Sequence, residues 1–134
     1  MKMCRMKLYF LAFLMLFSFV SCQKADDNGE LGGFWKLLEV EYVASGDKQD
    51  CREKSLFMAI QLDLLELRGN GSHYARFQHQ GDSLFIQMIG GNASGALLAS
   101  FGMNGQEQRF FVQNLNDKSL VLQSVYSILR FKKF

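Results

Sequence analysis

Two histidines, one cysteine in the body of the chain and a few neighbouring carboxylates carry the reactive side chains, and their spacing assigns them no shared reaction. His73 and His79 have the same parity, but six residues along a strand separate them by about 20 Å, too far to hold one metal ion. Cys51 has no histidine close by in sequence to activate it, and no Gly-x-Ser-x-Gly elbow is present. Gly69-Asn70-Gly71 begins like a phosphate-cradling glycine loop, yet Tyr74 stands at the third glycine position and no helix follows. Glu39 with Glu41, and Asp63 with Glu66, are acidic neighbours at spacings that suit a solvated face as well as acid–base work. No catalytic residue, metal ligand or cofactor is therefore expected, and the chain reads as a non-enzyme.

The remaining chemistry lies at the N-terminus. Lys2, Arg5 and Lys7 precede an apolar run from Leu8 to Val20, shorter than the roughly 20 residues a membrane span needs, which is the layout of a cleaved secretory signal. Removing residues 1–21 takes away three basic residues and no acidic ones, leaving twelve Lys plus Arg against thirteen Asp plus Glu. A near-neutral remainder offers no basic surface for nucleic acid. Val20-Ser21-Cys22 resembles the lipobox of bacterial lipoproteins, with Phe19 standing where that pattern usually has an aliphatic residue. The resemblance implies that Cys22 is acylated, becomes the first residue and anchors the protein to a membrane. An ordinary signal peptide cut near Ser21, with Cys22 left as a thiol, is the alternative. Lys24, Asp26 and Asp27 resemble the export signal that carries many Bacteroidota lipoproteins to the outer face of the outer membrane, a merely solvated linker being the plainer alternative, so a cell-surface location is expected, with the periplasmic face as the other option.

These anchoring residues need a tether and a domain behind them. Residues 22–33 are mostly polar, lack apolar periodicity and read as a flexible tether. Residues 34–134 make one domain of about 100 residues, enough for a single core. Phe34 to Val43 has the aromatic and β-branched content of a first strand, and residues 44–54 read as a loop holding Cys51. Leu56 to Leu65 alternates with period two and is expected as one long strand, although single-residue propensity would choose a buried helix. Gly69-Asn70-Gly71 supplies a tight hairpin, Gly81-Asp82 and Asn116-Asp117 supply further turns, and strands fall between them. A short helix or irregular lid is expected near residues 95–104. The pattern predicts an all-β fold, a small antiparallel up-and-down barrel of about seven or eight strands.

Gly33-Phe34-Trp35-Lys36-Leu37 resembles the Gly-x-Trp opening of lipocalin-like proteins. Phe111 to Leu122, closing with Leu129-Arg130-Phe131-Lys132-Lys133-Phe134, is similar to the last strands of the small lipocalin-like lipoproteins of Bacteroidota. The second and third motifs of true lipocalins are missing. The resemblance implies a barrel whose end is closed by Trp35 with Arg130 from the last strand packed over it; ordinary core and a solvent-facing charge are the plainer readings of the two residues. Small barrels commonly use their cavities for binding, so a small apolar or amphipathic ligand in the interior or mouth is expected. The alternative is a surface protein-interaction or accessory module whose interior is filled by side chains and holds no ligand. The expected partners are thus a membrane through Cys22, a small hydrophobic ligand and, on the alternative, a protein.

Overall fold

The computed structural model of the protein describes residues 28–69, 71–91 and 94–134. Among them, nine antiparallel strands form one sheet. In chain order they are β1 (Gly33–Tyr42), β2 (Lys48–Asp50), β3 (Phe57–Gln61), β4 (Leu64–Gly69), β5 (Gly71–Gln80), β6 (Ser83–Met88), β7 (Glu107–Leu115), β8 (Ser119–Gln123) and β9 (Ser127–Lys133). A short helix, α1 (Gly95–Ser100), lies between β6 and β7. From β3 onward each strand pairs with the next, and β9 returns to β1, so eight strands close a barrel. The ninth, β2, adds to the second half of β1. Closure pairs the edges that an open sheet would expose.

Alternation explains which residues fill the barrel. Met58 and Ile60, Leu65 and Leu67, Leu84 and Ile86, Phe110 and Val112, Leu120 and Leu122, and Leu129 and Phe131 are buried at every second position of their strands. In β1, Trp35 and Leu37 face inward, then a bulge at Leu38 shifts the register against β9 and Val40 becomes the next buried residue. That bulge is the source of the mixed alternation in the sequence. Trp35, Leu37, Met58, Leu65, Leu67, Ile86, Leu120 and Leu129 have no accessible surface. These fully buried side chains occupy the middle of the barrel.

The all-β barrel expected from the turns forms, with two corrections to its elements. The long strand expected from Leu56 to Leu65 is a hairpin: β3 and β4 are joined at Leu62-Asp63, with Gln61 facing Leu64. Leu62 adopts φ 56°, a left-handed conformation that leucine seldom takes, so no Gly or Asn marks the turn. The segment 44–54, expected as loop, contains β2, whose polar Lys48-Gln49-Asp50 is held by pairing with Glu39 to Glu41. The helix expected near 95–104 is present as α1.

Candidate functional site

The two ends of the barrel are built differently. At one end the β3–β4, β5–β6 and β7–β8 turns gather beside the start of β1, and a 3-10 turn, Gly29–Leu31, folds beneath them. Leu31 is fully buried there, and Leu31 O accepts the Trp35 indole N–H at 2.8 Å, satisfying the polar atom that a buried tryptophan brings with it. The Lys133 ammonium donates to Glu30 O at 3.3 Å and to Gly32 O, and lies 4.4 Å from the centroid of the Trp35 ring. Gly33, at φ 125°, leaves room for it: a Cβ at Gly33 would meet Lys133 Nζ at 2.7 Å. This is the closed end.

Arg130 takes no part in it, which corrects the expected closing pair. Leu129 and Phe131 face the core, so Arg130 between them points outward, where its guanidinium bonds Glu39 at 2.9 Å and Glu41 at 3.4 Å. The cation over Trp35 is Lys133, three residues further along β9 and on the inward parity at the strand's end. The plainer reading of Arg130 as an outward-facing charge describes its position.

At the opposite end, the mouth, α1 lies across the barrel. Ser94 Oγ caps it by accepting from Leu97 N at 3.1 Å, and Leu97 and Leu98 are buried beneath it. Phe101 and Met103 follow at 0% and 2% exposure, so the helix and its exit plug the mouth. Ser127, itself fully buried, donates its hydroxyl to Gly102 O and ties this plug to the start of β9. Gln108 is also buried, its amide bonding Asn104 Oδ1 at 3.0 Å and Gly105 O at 3.2 Å. Nothing in the sequence marks Ser127 or Gln108 as fastenings, because each sits in an otherwise ordinary strand pattern. Beside α1, the β2–β3 loop and the end of β4 leave a cleft of about 490 Å³, lined by the apolar Leu56 and Leu97 together with the polar Lys54, Ser55 and Ser100.

The other residues with reactive side chains stay dispersed. Cys51 is fully buried under the β2–β3 loop, 3.7 Å from Gln49 O, and burial pushes its thiol pKa up. A raised thiol pKa means less thiolate at neutral pH. Iodoacetamide is therefore expected to leave Cys51 unmodified in the folded protein near neutral pH and to alkylate it in denaturing urea, as followed by intact mass. Rapid labelling of the folded chain would contradict the burial. His73 and His79 are half-buried at opposite ends of β5. Glu66 pairs with Arg68, and Asp63 with Arg76 at 3.2 Å. Among the described residues no three His, Cys, Asp or Glu side chains gather where they would hold a metal ion. Cys22, Lys24, Asp26 and Asp27 lie outside the described residues.

Comparison with known proteins agrees with this geometry. The family profile described as a lipocalin-like domain matches residues 15–134. A lipocalin-like protein from Bacteroides uniformis superposes with a TM-score of 0.67 at 22% identity, covering 79% of this chain and 100% of that one. An uncharacterized protein from Bacteroides eggerthii gives 0.58 at 22% identity, covering 77% and 98%. No curated protein matches the chain.

Proposed function

This chain belongs to the lipocalin-like domain family, and from that membership we propose that it is a lipid-anchored, non-enzymatic binding protein that takes a small amphipathic ligand at the barrel mouth. The observation that carries the proposal is the division between a side-chain-filled barrel and an open cleft beside α1. Leu56 and Leu97 suit an apolar chain, while Lys54, Ser55 and Ser100 suit a polar or anionic head at the rim. A volume of about 490 Å³ falls within the range of small-molecule sites. The anchor is Cys22, lipid-modified and the first residue of the processed chain, and the outer membrane is the expected location, with Lys24, Asp26 and Asp27 directing it to the cell surface. The mass of the processed N-terminus tests this part directly.

Calorimetry and native mass spectrometry with straight-chain fatty acids of graded length test the mouth. Ala96 is exposed on the side of α1 that borders the cleft, so Ala96→Trp fills the cleft without touching the core. Binding is expected to weaken by about tenfold or more in that variant. Equal affinity for both proteins would remove the mouth as the site.

A second reading has its own observation. Val43, Phe111 and Val125 are 45%, 51% and 97% exposed and border one shallow surface near the mouth, with Tyr126 beside them. Contiguous exposed apolar side chains mark protein contacts in many proteins. If no amphiphile binds and Val125→Asp abolishes a crosslink to a defined neighbour on the cell, the interaction module is the better account.

A further inference from the structure

We infer that the closed end of the barrel carries a membrane-docking face, on which Leu62, Phe34, Phe57 and Phe134 rest against an anionic bilayer while Lys36 and Lys132 contact its headgroups. The inference rests on the lipid-anchor reading of Cys22 and goes beyond it, because an anchor alone leaves the barrel free to point either way.

The face is read from register. Lys132 of β9 faces Lys36 of β1, Lys36 faces Phe57 of β3, and Phe57 faces Arg68 of β4, so these four outward side chains form one row across four strands. Phe34, one outward position nearer the closed end, has its ring 5.3 Å from that of Phe57 and 5.9 Å from that of Phe134, and the Phe57 and Phe134 rings are 5.2 Å apart. Three rings thus cluster on the outside of the barrel, where packing of the core does not require them. Phe134 is 75% exposed.

At the same end, Leu62 occupies the tip of the β3–β4 turn, 62% exposed and with φ 56°. A turn tip with positive φ ordinarily takes Gly or Asn, and a solvated tip takes a polar side chain; leucine meets neither requirement. Leu64 beside it is 41% exposed. Contact with an apolar phase removes the cost of that exposure.

Charge and chain length select the occupant. On this outward surface Glu66 is matched by Arg68, Asp63 at the turn tip by Arg76, and Glu39 and Glu41 further toward the mouth by Arg130 and Lys48, which leaves Lys36 and Lys132 as cations of the row outside those ion pairs. Asn28 donates its side-chain amide to Leu62 O at 2.8 Å, which places the beginning of the described chain against the exposed tip. Only six residue steps separate Asn28 from Cys22, a reach of at most about 20 Å. An acylated Cys22 thus keeps Leu62 within reach of the headgroup layer, where the docking face can engage it. The mouth and its cleft then face away from the membrane.

Site-directed nitroxides on the full processed, acylated protein in vesicles of phosphatidylcholine and phosphatidylglycerol test the face. Labels at Leu62→Cys and Phe134→Cys are expected to be several-fold more accessible to oxygen, relative to a water-soluble nickel chelate, than a label at Val125→Cys at the other end. The contrast is expected to shrink in a Lys36→Glu/Lys132→Glu background. Aqueous labels at 62 and 134 on a protein whose Cys22 mass shows the acyl groups would overturn the docking face and leave the anchor standing. A Cys22 without acyl groups would overturn the anchor, and the docking face with it.

Discussion

Replacing Trp35 by Ala is expected to remove roughly 3–5 kcal/mol of stability, the range for truncating a fully buried large aromatic residue. Two losses combine: the cavity under the closed end, and the indole N–H that satisfies Leu31 O at 2.8 Å. Lys133→Met is expected to cost roughly 1–3 kcal/mol, because it strips a charged donor from Glu30 O and Gly32 O and a cation from the Trp35 ring. Arg130→Met is expected to cost under about 1 kcal/mol, since its ion pairs with Glu39 and Glu41 are partly exposed. Urea denaturation followed by far-ultraviolet circular dichroism measures all three. A large loss in Arg130→Met with none in Lys133→Met would restore the pairing first expected from the sequence and refute the closed end described here.

That comparison shows what was legible in the chain and why. Phe34 to Val43 announces β1 through its aromatic and β-branched content, and Gly81, Asn116 and their neighbours announce turns through backbone requirements that few residues meet. Arg130 over Trp35 is what the resemblance implies, and strand parity decides for Lys133 instead. Parity becomes certain only once the buried Leu129 and Phe131 are known. The β3–β4 turn was hidden because Leu62 holds its positive φ without a residue type that signals it. Here the missing signal points outward: a leucine kept at an exposed tip is easier to understand beside a membrane than beside water.

The mouth was legible only in part. Ala96, Leu97 and Leu98 suggest a short helix, but its role as a plug depends on Phe101, Met103 and Ser127, which are brought together from separate segments. A single filled core with a cleft at one end and the start of the described chain at the other gives the molecule a polarity. Ligand exchange at the mouth and membrane contact at the closed end would not compete for the same surface.

The fastening of the plug yields the second large expected effect. Gly102→Ala is expected to cost roughly 2–5 kcal/mol, combining left-handed backbone strain with overpacking of the core. Gly102 sits at φ 68°, and a Cβ there would meet Val40 Cγ1 at 2.6 Å and Leu129 Cδ2 at 2.8 Å, both on fully buried side chains with nowhere to retreat. Relief requires the segment to lift, and lifting it breaks the bond from Ser127 Oγ to Gly102 O and draws Phe101 out of the mouth. Gly46 provides the control, since its φ of 73° imposes the same backbone strain while no atom lies within 4 Å of the added Cβ. Gly46→Ala is therefore expected to cost only about 1 kcal/mol. Thermal denaturation gives the two values, and binding of a hydrophobic dye such as ANS to the folded Gly102→Ala protein reports the opened mouth. Equal losses in the two variants would mean that the plug yields without strain, and that the contact between Gly102 and the core does not hold the mouth shut.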